Sequence, residues 1–505
     1  MLAFLLDPKR YGGKTPHHIE THLSHIVLTD DMAYKLKKAI TWSVVDYSSP
    51  EKRRACCVHE FEINHKNAPE IYLGVDAITY KGGALNLGGD GEAVDYVVRM
   101  RRFPDGAELD KMADAGALTP ALMDATADAI AALHTRADMV RNADALPRLT
   151  TLAQQLERDC TRAASPQHQE VISSFGHLAR QHIEVLSGYI AARGRHGFVR
   201  RCHGDLHLSN ICVWQGRPQM FDAIEFSDDI GTIDVIYDLA FVLIDLEARG
   251  HSALSARLLS RYLERTRDYG GLALLPLAKS LRHMVRTLVG AEKGREIAPH
   301  IDAANTLLSR RAEPHVIAVG GRSGSGKSTV AAALSSRCGA VVLRSDVARK
   351  RLFGLEPDAP LDADAYHPTV TQTLYRRLLR DGRKALRAGS KVILDATFLE
   401  ERWRDAADHL AADLEVPMVG VWLDAPAETL VGRVNARQGD ASDADAHVVA
   451  QQLGREIGTI QWPTYDATQP ADETAQAVIK MLNQSSASRQ GTPSVHQRPS
   501  ESRPA

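Results

Sequence analysis

The sequence contains few cysteines, and none of them follows a metal-ligand pattern. Six cysteines occur among 505 residues, and apart from the neighbours Cys56 and Cys57 they are widely scattered. Zinc modules need closely paired Cys or His ligands, so this distribution excludes that class of protein. Cys56 and Cys57 are interpreted as two small helical residues rather than as a redox pair.

The chain also lacks a long apolar run and an excess of charge of either sign. No apolar stretch approaches the roughly 20 residues that a membrane-spanning helix needs. The start, MLAFLLDPKR, has no basic segment before its short apolar run, so we expect no signal peptide and a cytoplasmic location. Lys plus Arg number 61 and Asp plus Glu number 63. Because nucleic-acid binders usually carry a basic excess, nucleic acid is not an expected partner.

Size and composition leave room for two to four domains with full cores. Hydrophobic residues make up 44% and charged residues 25%, which is ordinary for a globular protein. Residues 13–110 show strand patterns with one helix, and residues 109–312 are mostly helical. From Pro314 short β-rich runs alternate with helical stretches, which predicts βαβ units and a parallel sheet.

The strongest motif is a glycine-rich loop between an apolar strand and an alanine-rich helix, in HVIAVGGRSGSGKSTVAAAL. Backbone N–H groups of such a loop, with the start of the helix behind it, surround phosphate oxygens. We expect Lys327 to reach the β- and γ-phosphates and the Ser328 hydroxyl to bind Mg²⁺. The residues expected to bind nucleotide here are Gly321, Ser323, Gly324, Ser325, Gly326, Lys327, Ser328 and Thr329.

Charged residues after the later strands indicate a kinase. Asp346 follows AVVLRS and is a candidate general base, with a helix N-cap as the alternative role. Arg349 is a candidate for holding an anionic substrate, or else part of a solvated helix face. Asp395 ends the strand KVILD, where a carboxylate would support Mg²⁺. Arg433 and Arg437 suit a mobile lid that neutralises the transferring phosphoryl group.

This part of the chain resembles the small P-loop kinases grouped with zeta toxins, gluconate kinases and polynucleotide 5′-kinases. The shared features are the strand–GRSGSGKST–helix unit, the S-D-x-x-R element at Ser345, Asp346 and Arg349, and the arginine lid. The aspartate is the general base in that group, so the resemblance assigns this role to Asp346.

A second constellation lies in HGDLHLSNICVWQGRPQMFDAIEF. Asp205, Asn210 and Asp222 supply an acceptor-side base and oxygen ligands for Mg²⁺, at the spacing found in kinase catalytic loops. The passage resembles the aminoglycoside phosphotransferase and choline kinase family, which has a protein-kinase-like fold. That resemblance implies Asp205 as catalytic base and Asn210 and Asp222 as Mg²⁺ ligands. Glu225 either touches a second metal ion or simply holds the loop.

The same fold requires a strand lysine that binds the α- and β-phosphates and pairs with a helix glutamate. Lys35 and Lys37 in AYKLKKAI lie on one face by strand alternation, and Glu60 is the expected partner. Lys35 is preferred, although the sequence does not decide between the two lysines. No clear glycine-rich loop precedes this strand, which argues against a protein kinase more than against ATP binding.

Together the two motifs resemble the bacterial family described as bifunctional aminoglycoside phosphotransferase-like and ATP-binding proteins. The expected fold is an α+β protein-kinase-like domain at residues 13–295 and an α/β P-loop kinase domain with a parallel sheet at residues 313–484. A helical connector at 296–312 is expected between them. The segment 485–505, rich in Ser, Gln, Pro and Arg, is expected to be a disordered tail.

The resemblance implies an enzyme that uses ATP, with GTP as an open alternative, together with Mg²⁺. Each domain would transfer the γ-phosphoryl group to a hydroxyl of a small polar metabolite. Two other hypotheses remain at this point. One domain would be a regulatory ATP switch without an acceptor, or the P-loop domain would phosphorylate the 5′ ends of nucleic acid.

Overall fold

The chain divides into two units, each with its own sheet and core. The computed structural model describes residues 1–42, 45–141, 144–356, 359–436 and 442–490. The first unit consists of Met1–Thr266 and Leu274–Arg311. The second consists of Arg267–Ala273 and the chain from Ala312 onward.

Alternating polar and apolar residues near the start of the chain form an antiparallel sheet, as the pattern predicts. Its strand order is β1-β2-β3-β8-β6-β7. The long helix α2 packs on β6 and β8, and it starts at Pro50 with the Ser49 side chain as N-cap. The elements are α1 (Leu2–Leu5), β1 (His17–Glu20), β2 (Ser24–Leu28), β3 (Met32–Lys37), β4 (Thr41–Trp42), β5 (Val45–Asp46), α2 (Pro50–Asn67), β6 (Tyr72–Lys81), β7 (Ala84–Leu87) and β8 (Glu92–Arg101).

The rest of the first unit is mostly helical, as predicted, and it also contains one hairpin and one pair of short antiparallel strands. Its elements are α3 (Leu109–Asp114), α4 (Pro120–Arg136), α5 (Ala145–Ala163), α6 (Gln169–Val185), α7 (Ser187–Arg195), β9 (Val199–Arg201), β10 (Ile211–Trp214), β11 (Arg217–Met220), α8 (Asp228–Gly231), β12 (Thr232–Asp234), α9 (Val235–Ala248), α10 (Ser252–Thr266), α11 (Leu275–Glu292) and α12 (Ala298–Ser309). Helix α12 lies in the stretch expected as a connector, and it packs on α11 and α6 inside this unit.

The second unit is built on a parallel sheet with strand order β14-β15-β13-β16-β17. Strands β13 and β15 are buried throughout because helices cover the sheet. The elements are β13 (Val316–Gly321), α13 (Lys327–Cys338), β14 (Val341–Arg344), α14 (Ser345–Leu352), α15 (Pro368–Arg387), β15 (Val392–Asp395), α16 (Glu401–Asp413), β16 (Met418–Asp424), α17 (Ala427–Asn435), α18 (Ala446–Leu453), β17 (Thr464–Asp466) and α19 (Ala471–Gln490).

The end of the chain is helical further than expected. Helix α19 continues to Gln490, six residues into the segment expected as a tail, and positions 491–505 lie outside the described residues. Among the helices that the structure describes, none is long and apolar enough to cross a membrane.

Candidate active sites

In the first unit, strand β3, helix α2 and the loop after β11 bring three charged side chains together. Lys35 Nζ lies 2.7 Å from Glu60 Oε1 and 2.5 Å from Asp222 Oδ1. Burial alone would lower the pKa of Lys35, but the carboxylates of Asp222 and Glu60 outweigh it and hold this pKa well above its usual value. The strand lysine therefore stays charged, as a phosphate ligand must be.

Lys37 lies on the same face of β3, shares Glu60 with Lys35 and contacts Glu225 in place of Asp222. Its Nζ is 2.5 Å from Glu60 Oε2 and 2.5 Å from Glu225 Oε1. The side chain of Lys37 is 1% exposed and that of Lys35 is 10% exposed. Both lysines thus meet Glu60, but it is Lys35 that lies beside Asp222.

The HGDLHLSN passage forms a loop closed by a short 3₁₀ turn at Leu208–Asn210. The Asn210 side-chain amide donates to the Asp205 backbone oxygen at 2.9 Å and to Asp205 Oδ2 at 3.2 Å. His207 Nε2 lies 3.3 Å from the same carboxylate oxygen. Burial would raise the pKa of Asp205, but His207 and then the Arg282 charge hold it well below its usual value. Asp205 is therefore an ionised, acceptor-only group.

Asp222 lies in the loop two residues beyond the end of β11. Its φ of 60° is in the left-handed region, which Asp tolerates better than most residues. Its N–H donates to the Tyr72 hydroxyl at 3.1 Å, and the next residue, Ala223, donates to Asn64 Oδ1 at 2.8 Å. Side chains from β6 and α2 thus hold the turn that carries Asp222.

Sequence reasoning missed Asp238, a fully buried residue of α9. Its carboxylate accepts from the backbone N–H groups of His203 and Gly204, each at 3.0 Å. His134 Nε2 is 3.2 Å from the same side chain. These bonds fix the start of the loop that carries Asp205. The available signal was a charged residue inside the apolar run DVIYDLAFVLIDL, since a buried charge is retained only when it is paired.

In the second unit, the glycine-rich loop joins β13 to α13 in a form that needs its glycines. Gly324 and Gly326 have φ values of 83° and 81°. A Cβ on Gly324 would lie 2.5 Å from the backbone oxygen of Leu430. Lys327 begins α13, and its Nζ donates to the loop carbonyl of Arg322 at 2.9 Å. The loop thus has the geometry of a phosphate-binding loop, with its lysine turned onto the loop.

The sequence-predicted metal residues of this unit lie side by side. Ser328 Oγ donates to Asp395 Oδ2 at 2.7 Å, where α13 starts and β15 ends. Burial raises the pKa of Asp395 to about 6, against the lowering effect of the Lys327 charge and the Ser328 hydrogen bond, while Asp346 adds to the rise. Burial therefore makes ionisation of this carboxyl less favourable than for an exposed aspartate, and a bound cation would offset that cost.

Asp346, Arg349, Lys327 and Ser328 border one cavity of about 300 Å³. Asp346 lies in the first turn of α14, and the turn has no side-chain N-cap bond, so capping is not its role. Arg349 is 8% exposed, which excludes the solvated-face alternative. Its guanidinium donates to the Ala365 carbonyl at 2.7 Å. The cavity therefore holds a candidate base and a buried cation next to the phosphate loop.

The lid region contributes one expected and one unexpected residue. Arg433 lies close to the phosphate loop, since its Nη1 would be 3.8 Å from a Cβ added at Gly326. Arg437, the other arginine expected in the lid, lies outside the described residues. Gln452 on α18 was missed. Its Oε1 accepts from the Ser323 N–H at 2.8 Å, and its Nε2 donates to Ser323 Oγ at 3.0 Å. Glutamine on a surface helix gives no sequence signal of such a contact.

A second lid contact lies beside the cavity. The Lys350 side chain is 1% exposed, and its Nζ is 3.0 Å from Asp443 Oδ1. The Tyr366 hydroxyl donates to the other oxygen of Asp443 at 3.4 Å. These bonds hold the segment before α18 against α14.

Comparison with known proteins gives the same two parts. Residues 70–275 match the phosphotransferase enzyme family, and residues 316–456 match an AAA domain family. Among solved structures, a choline/ethanolamine kinase family protein from Mesorhizobium loti is 12% identical, with a TM-score of 0.38, covering 61% of this chain and 92% of that chain. A gluconokinase from Sinorhizobium meliloti is 24% identical, with a TM-score of 0.26, covering 36% and 100%.

Relatives match nearly the whole chain. The uncharacterized protein Rv2004c of Mycobacterium tuberculosis H37Rv is 30% identical over 460 residues, covering 88% of this chain and 90% of its own length. The uncharacterized protein Mb2027c of Mycobacterium bovis matches to the same extent. The predicted fold class and family resemblance are confirmed. The chain belongs to the family of these mycobacterial proteins, the kinase family that joins an aminoglycoside phosphotransferase-like domain to an ATP-binding P-loop kinase domain.

Proposed function

We propose that each unit transfers the γ-phosphoryl group of ATP to a hydroxyl of a small polar metabolite, with Mg²⁺. One observation carries the proposal. In each unit, a candidate base, a candidate phosphate-binding lysine and two candidate oxygen ligands for a metal lie within one site, although they come from separate elements. Phosphoryl transfer needs this set of groups, because its catalysis is mainly positioning and charge stabilisation.

In the first unit the oxygen donors fit Mg²⁺. Asn210 and Asp222 offer amide and carboxylate oxygens, which are the ligands that this cation prefers. The Asp222 side chain is 46% exposed, so it is accessible to an entering metal–nucleotide complex. Lys35 is proposed to bind the α- and β-phosphates, because it is the lysine adjacent to Asp222. When bound, Mg²⁺ neutralises charge on the phosphate oxygens.

Asp205 is proposed to orient the acceptor hydroxyl of this unit. Because its pKa is held below the usual value, the carboxylate accepts a hydrogen bond at neutral pH but binds a full proton weakly. The hydroxyl oxygen forms a bond to the γ-phosphorus while the bond from that phosphorus to the β-bridging oxygen breaks. ADP leaves with that oxygen, and the hydroxyl proton passes to Asp205 as the new bond forms and then to solvent, because this carboxylate holds a proton weakly.

In the second unit, Lys327 and the backbone N–H groups of the loop would hold the phosphates. Ser328 and Asp395 supply hydroxyl and carboxylate oxygens in contact with each other, which fits Mg²⁺. Asp346 is proposed as the base, because it borders the same cavity as Lys327. Arg433 would neutralise the transferring group, and Arg349 would bind the acceptor.

The size of the cavity supports a small acceptor. Its volume of about 300 Å³ is at the lower end of the range of small-molecule sites. Beside the phosphate loop, the lining includes Tyr366, Thr371 and Tyr375 together with aliphatic residues such as Leu374 and Leu399. Aromatic faces with hydroxyl groups suit a polar metabolite with an apolar edge.

The test is transfer from γ-labelled ATP to a pooled library of sugars, nucleosides, aminoglycosides and short oligonucleotides. Asp205→Asn and Asp346→Asn each remove one base while keeping the shape of the side chain. We expect each variant to lose a different labelled product by a factor of about 10² or more, with nucleotide binding retained.

Exposed aspartates provide matched controls, Asp105→Asn for the first unit and Asp413→Asn for the second. Both controls should keep all products. Unchanged transfer in both base variants would contradict the proposal. If only one of the two base variants loses a labelled product, the unit whose base variant changes no product would be an ATP switch rather than a second enzyme. A labelled oligonucleotide would assign nucleic acid as the acceptor of the unit that loses it.

A further inference from the structure

Five buried or half-buried charged groups in the first unit alternate in sign along one chain of contacts. In order they are Asp222, Lys35, Glu60, Lys37 and Glu225. The role that the family resemblance implies needs only one lysine and one glutamate from this series of contacts. The second lysine, Lys37, needs its own explanation. It contacts the same Glu60 and also Glu225, in the loop that carries Asp222.

We propose that Lys37 is a positioning residue that holds the metal-binding loop, and that Glu225 is its fixed partner rather than a ligand of a second metal ion. This inference rests on the proposed function of the first unit. It decides between the two roles that the sequence leaves open for Glu225, and it gives the two strand lysines different tasks.

The surroundings of Glu225 differ from those of a metal ligand. Its side chain is 6% exposed, whereas that of Asp222, three residues earlier, is 46% exposed. Glu225 Oε1 is taken by the Lys37 ammonium, and Cys56 Sγ lies 3.9 Å from the same oxygen. A cation at this carboxylate would have to displace a buried ammonium that carries the same sign of charge.

Charge compensation explains why a second lysine is present. Lys35 pairs with both Glu60 and Asp222, and binding to phosphate would draw its ammonium away from both carboxylates. Glu60 is 0% exposed, and an uncompensated buried carboxylate is strongly unfavourable. Because Lys37 also pairs with Glu60, Lys35 can turn to phosphate without leaving that carboxylate unpaired.

The position of Lys37 also explains how it acts on Asp222. The loop FDAIE is held at its start by Tyr72 and Asn64, which bond the backbone of Asp222 and Ala223. Lys37 ties the other end of the loop, at Glu225, to strand β3. The left-handed φ of Asp222 is an unfavourable conformation that its neighbours must maintain. Partners that hold a metal ligand in this way commonly change metal affinity 10- to 100-fold when they are removed.

The experiment counts Mn²⁺ bound together with ADP, by electron paramagnetic resonance, in the full chain carrying Lys327→Ala. That background substitution suppresses nucleotide binding in the second unit. Glu225→Gln, Lys37→Met and Lys37→Arg are compared with Lys38→Met, which removes a neighbouring lysine that pairs with Glu20 near the surface. ADP affinity is also measured in EDTA, where no metal contributes.

We expect Glu225→Gln to bind the same number of Mn²⁺ ions as its parent. Lys37→Met should raise the Mn²⁺ concentration at half-saturation about tenfold, while its ADP affinity in EDTA changes less than about threefold. Lys37→Arg should restore most of the Mn²⁺ affinity, and Lys38→Met should resemble the parent.

Loss of one Mn²⁺ ion in Glu225→Gln would overturn the inference, and this variant remains informative if Lys37→Met does not fold. An equal loss of ADP affinity in EDTA and of Mn²⁺ affinity would make Lys37 a phosphate ligand instead. A parent chain that binds no ADP in the first unit would refute the proposed function itself, which separates the two failures.

Discussion

Two carboxylates with the same proposed task have opposite electrostatic surroundings. Asp222 is partly exposed and touches Lys35, whose charge outweighs burial and lowers its pKa. Asp395 is 4% exposed, and burial raises its pKa to about 6 although Lys327 is near. The first unit therefore offers an ionised ligand before the metal arrives. The second unit offers a carboxyl that is protonated below about pH 6, and its ionisation above that pH lowers the stability of the folded unit.

Asp395→Asn should stabilise the second unit when neither metal nor nucleotide is present. The folded pKa of about 6 exceeds the unfolded value of about 3.9. The stability that this group contributes is thus present below about pH 4 and is lost as the pH rises through 6. The variant escapes this loss, so at pH 7.5 its unfolding free energy should be higher by up to about 3 kcal/mol. The gain should shrink to about 1 kcal/mol at pH 4.5.

Denaturant unfolding at the two pH values measures this difference, and added Mg²⁺ and ADP should stabilise the parent much more than the variant. Asp413→Asn, an exposed aspartate of α16 that pairs with Arg383, is the matched control and should change neither quantity. A variant that is less stable than its parent at pH 7.5 would mean that Lys327 keeps Asp395 ionised and stabilising.

Residues of the proposed sites were predictable where local spacing carries the chemistry. The phosphate loop and the HGDLHLSN passage are short, so the sequence places Lys327 or Asp205 next to its neighbours. Contacts across long separations were not predictable in the same way. Lys35 meets Asp222 across 187 positions, and strand alternation alone leaves Lys35 and Lys37 equivalent. Only the packing of α2 and the loop after β11 separates their roles.

At the scale of elements, periodicity predicted the long helices and the strands with apolar faces. Helix α2 and strands β2, β3, β13 and β15 occur where the patterns indicated. Strand β17 was missed because it has three residues, too few to show a period. Helix α18 is short and polar on its outer side, so its packing against the phosphate loop depends on tertiary contacts that no local pattern encodes.

The position of α18 leads to a prediction about nucleotide affinity. The Gln452 side chain occupies the Ser323 N–H, one of the amide groups of the phosphate loop. We expect phosphate to displace this one contact, and a single hydrogen bond of this kind is worth about 1 kcal/mol. We therefore expect Gln452→Ala to tighten ATP binding in the second unit by about fivefold, measured by titration calorimetry in a Lys35→Met background.

Gln476→Ala is the control, because Gln476 is an exposed glutamine of α19 that is not among the residues lining this cavity. It should leave the affinity unchanged. Weaker ATP binding in Gln452→Ala would show instead that this side chain contacts the nucleotide and belongs to the binding site.

At the scale of the whole molecule, the sequence indicates two domains through two motifs but does not locate the division between them in detail. The segment Arg267–Ala273 belongs to the second unit although the residues on both sides of it belong to the first. Arg267 pairs through two nitrogens with Asp381, a buried residue of α15. A loop between two amphipathic helices has no compositional feature that predicts this assignment, since only the distant partner on α15 reveals it.

The two proposed sites in one chain predict a countable property, the number of nucleotides bound. With Mg²⁺ and a non-hydrolysable ATP analogue, calorimetry should give two equivalents for the natural chain. Lys35→Met and Lys327→Ala should each leave one equivalent, because each removes the phosphate-binding lysine of one unit. The double variant should bind none. Lys38→Met and Lys384→Met, which remove lysines outside the proposed sites, should keep both equivalents.

The same titration determines which unit fails if the count is lower. A natural chain that binds one equivalent, unchanged by Lys35→Met and abolished by Lys327→Ala, would leave only the second unit as a nucleotide site. Unfolding experiments add an independent reading, because saturating ligand at about 100 times its Kd stabilises the unit that binds it by about 2.7 kcal/mol. Each lysine variant should lose this stabilisation in its own unit alone, since the two lysines belong to separate units, each with its own sheet.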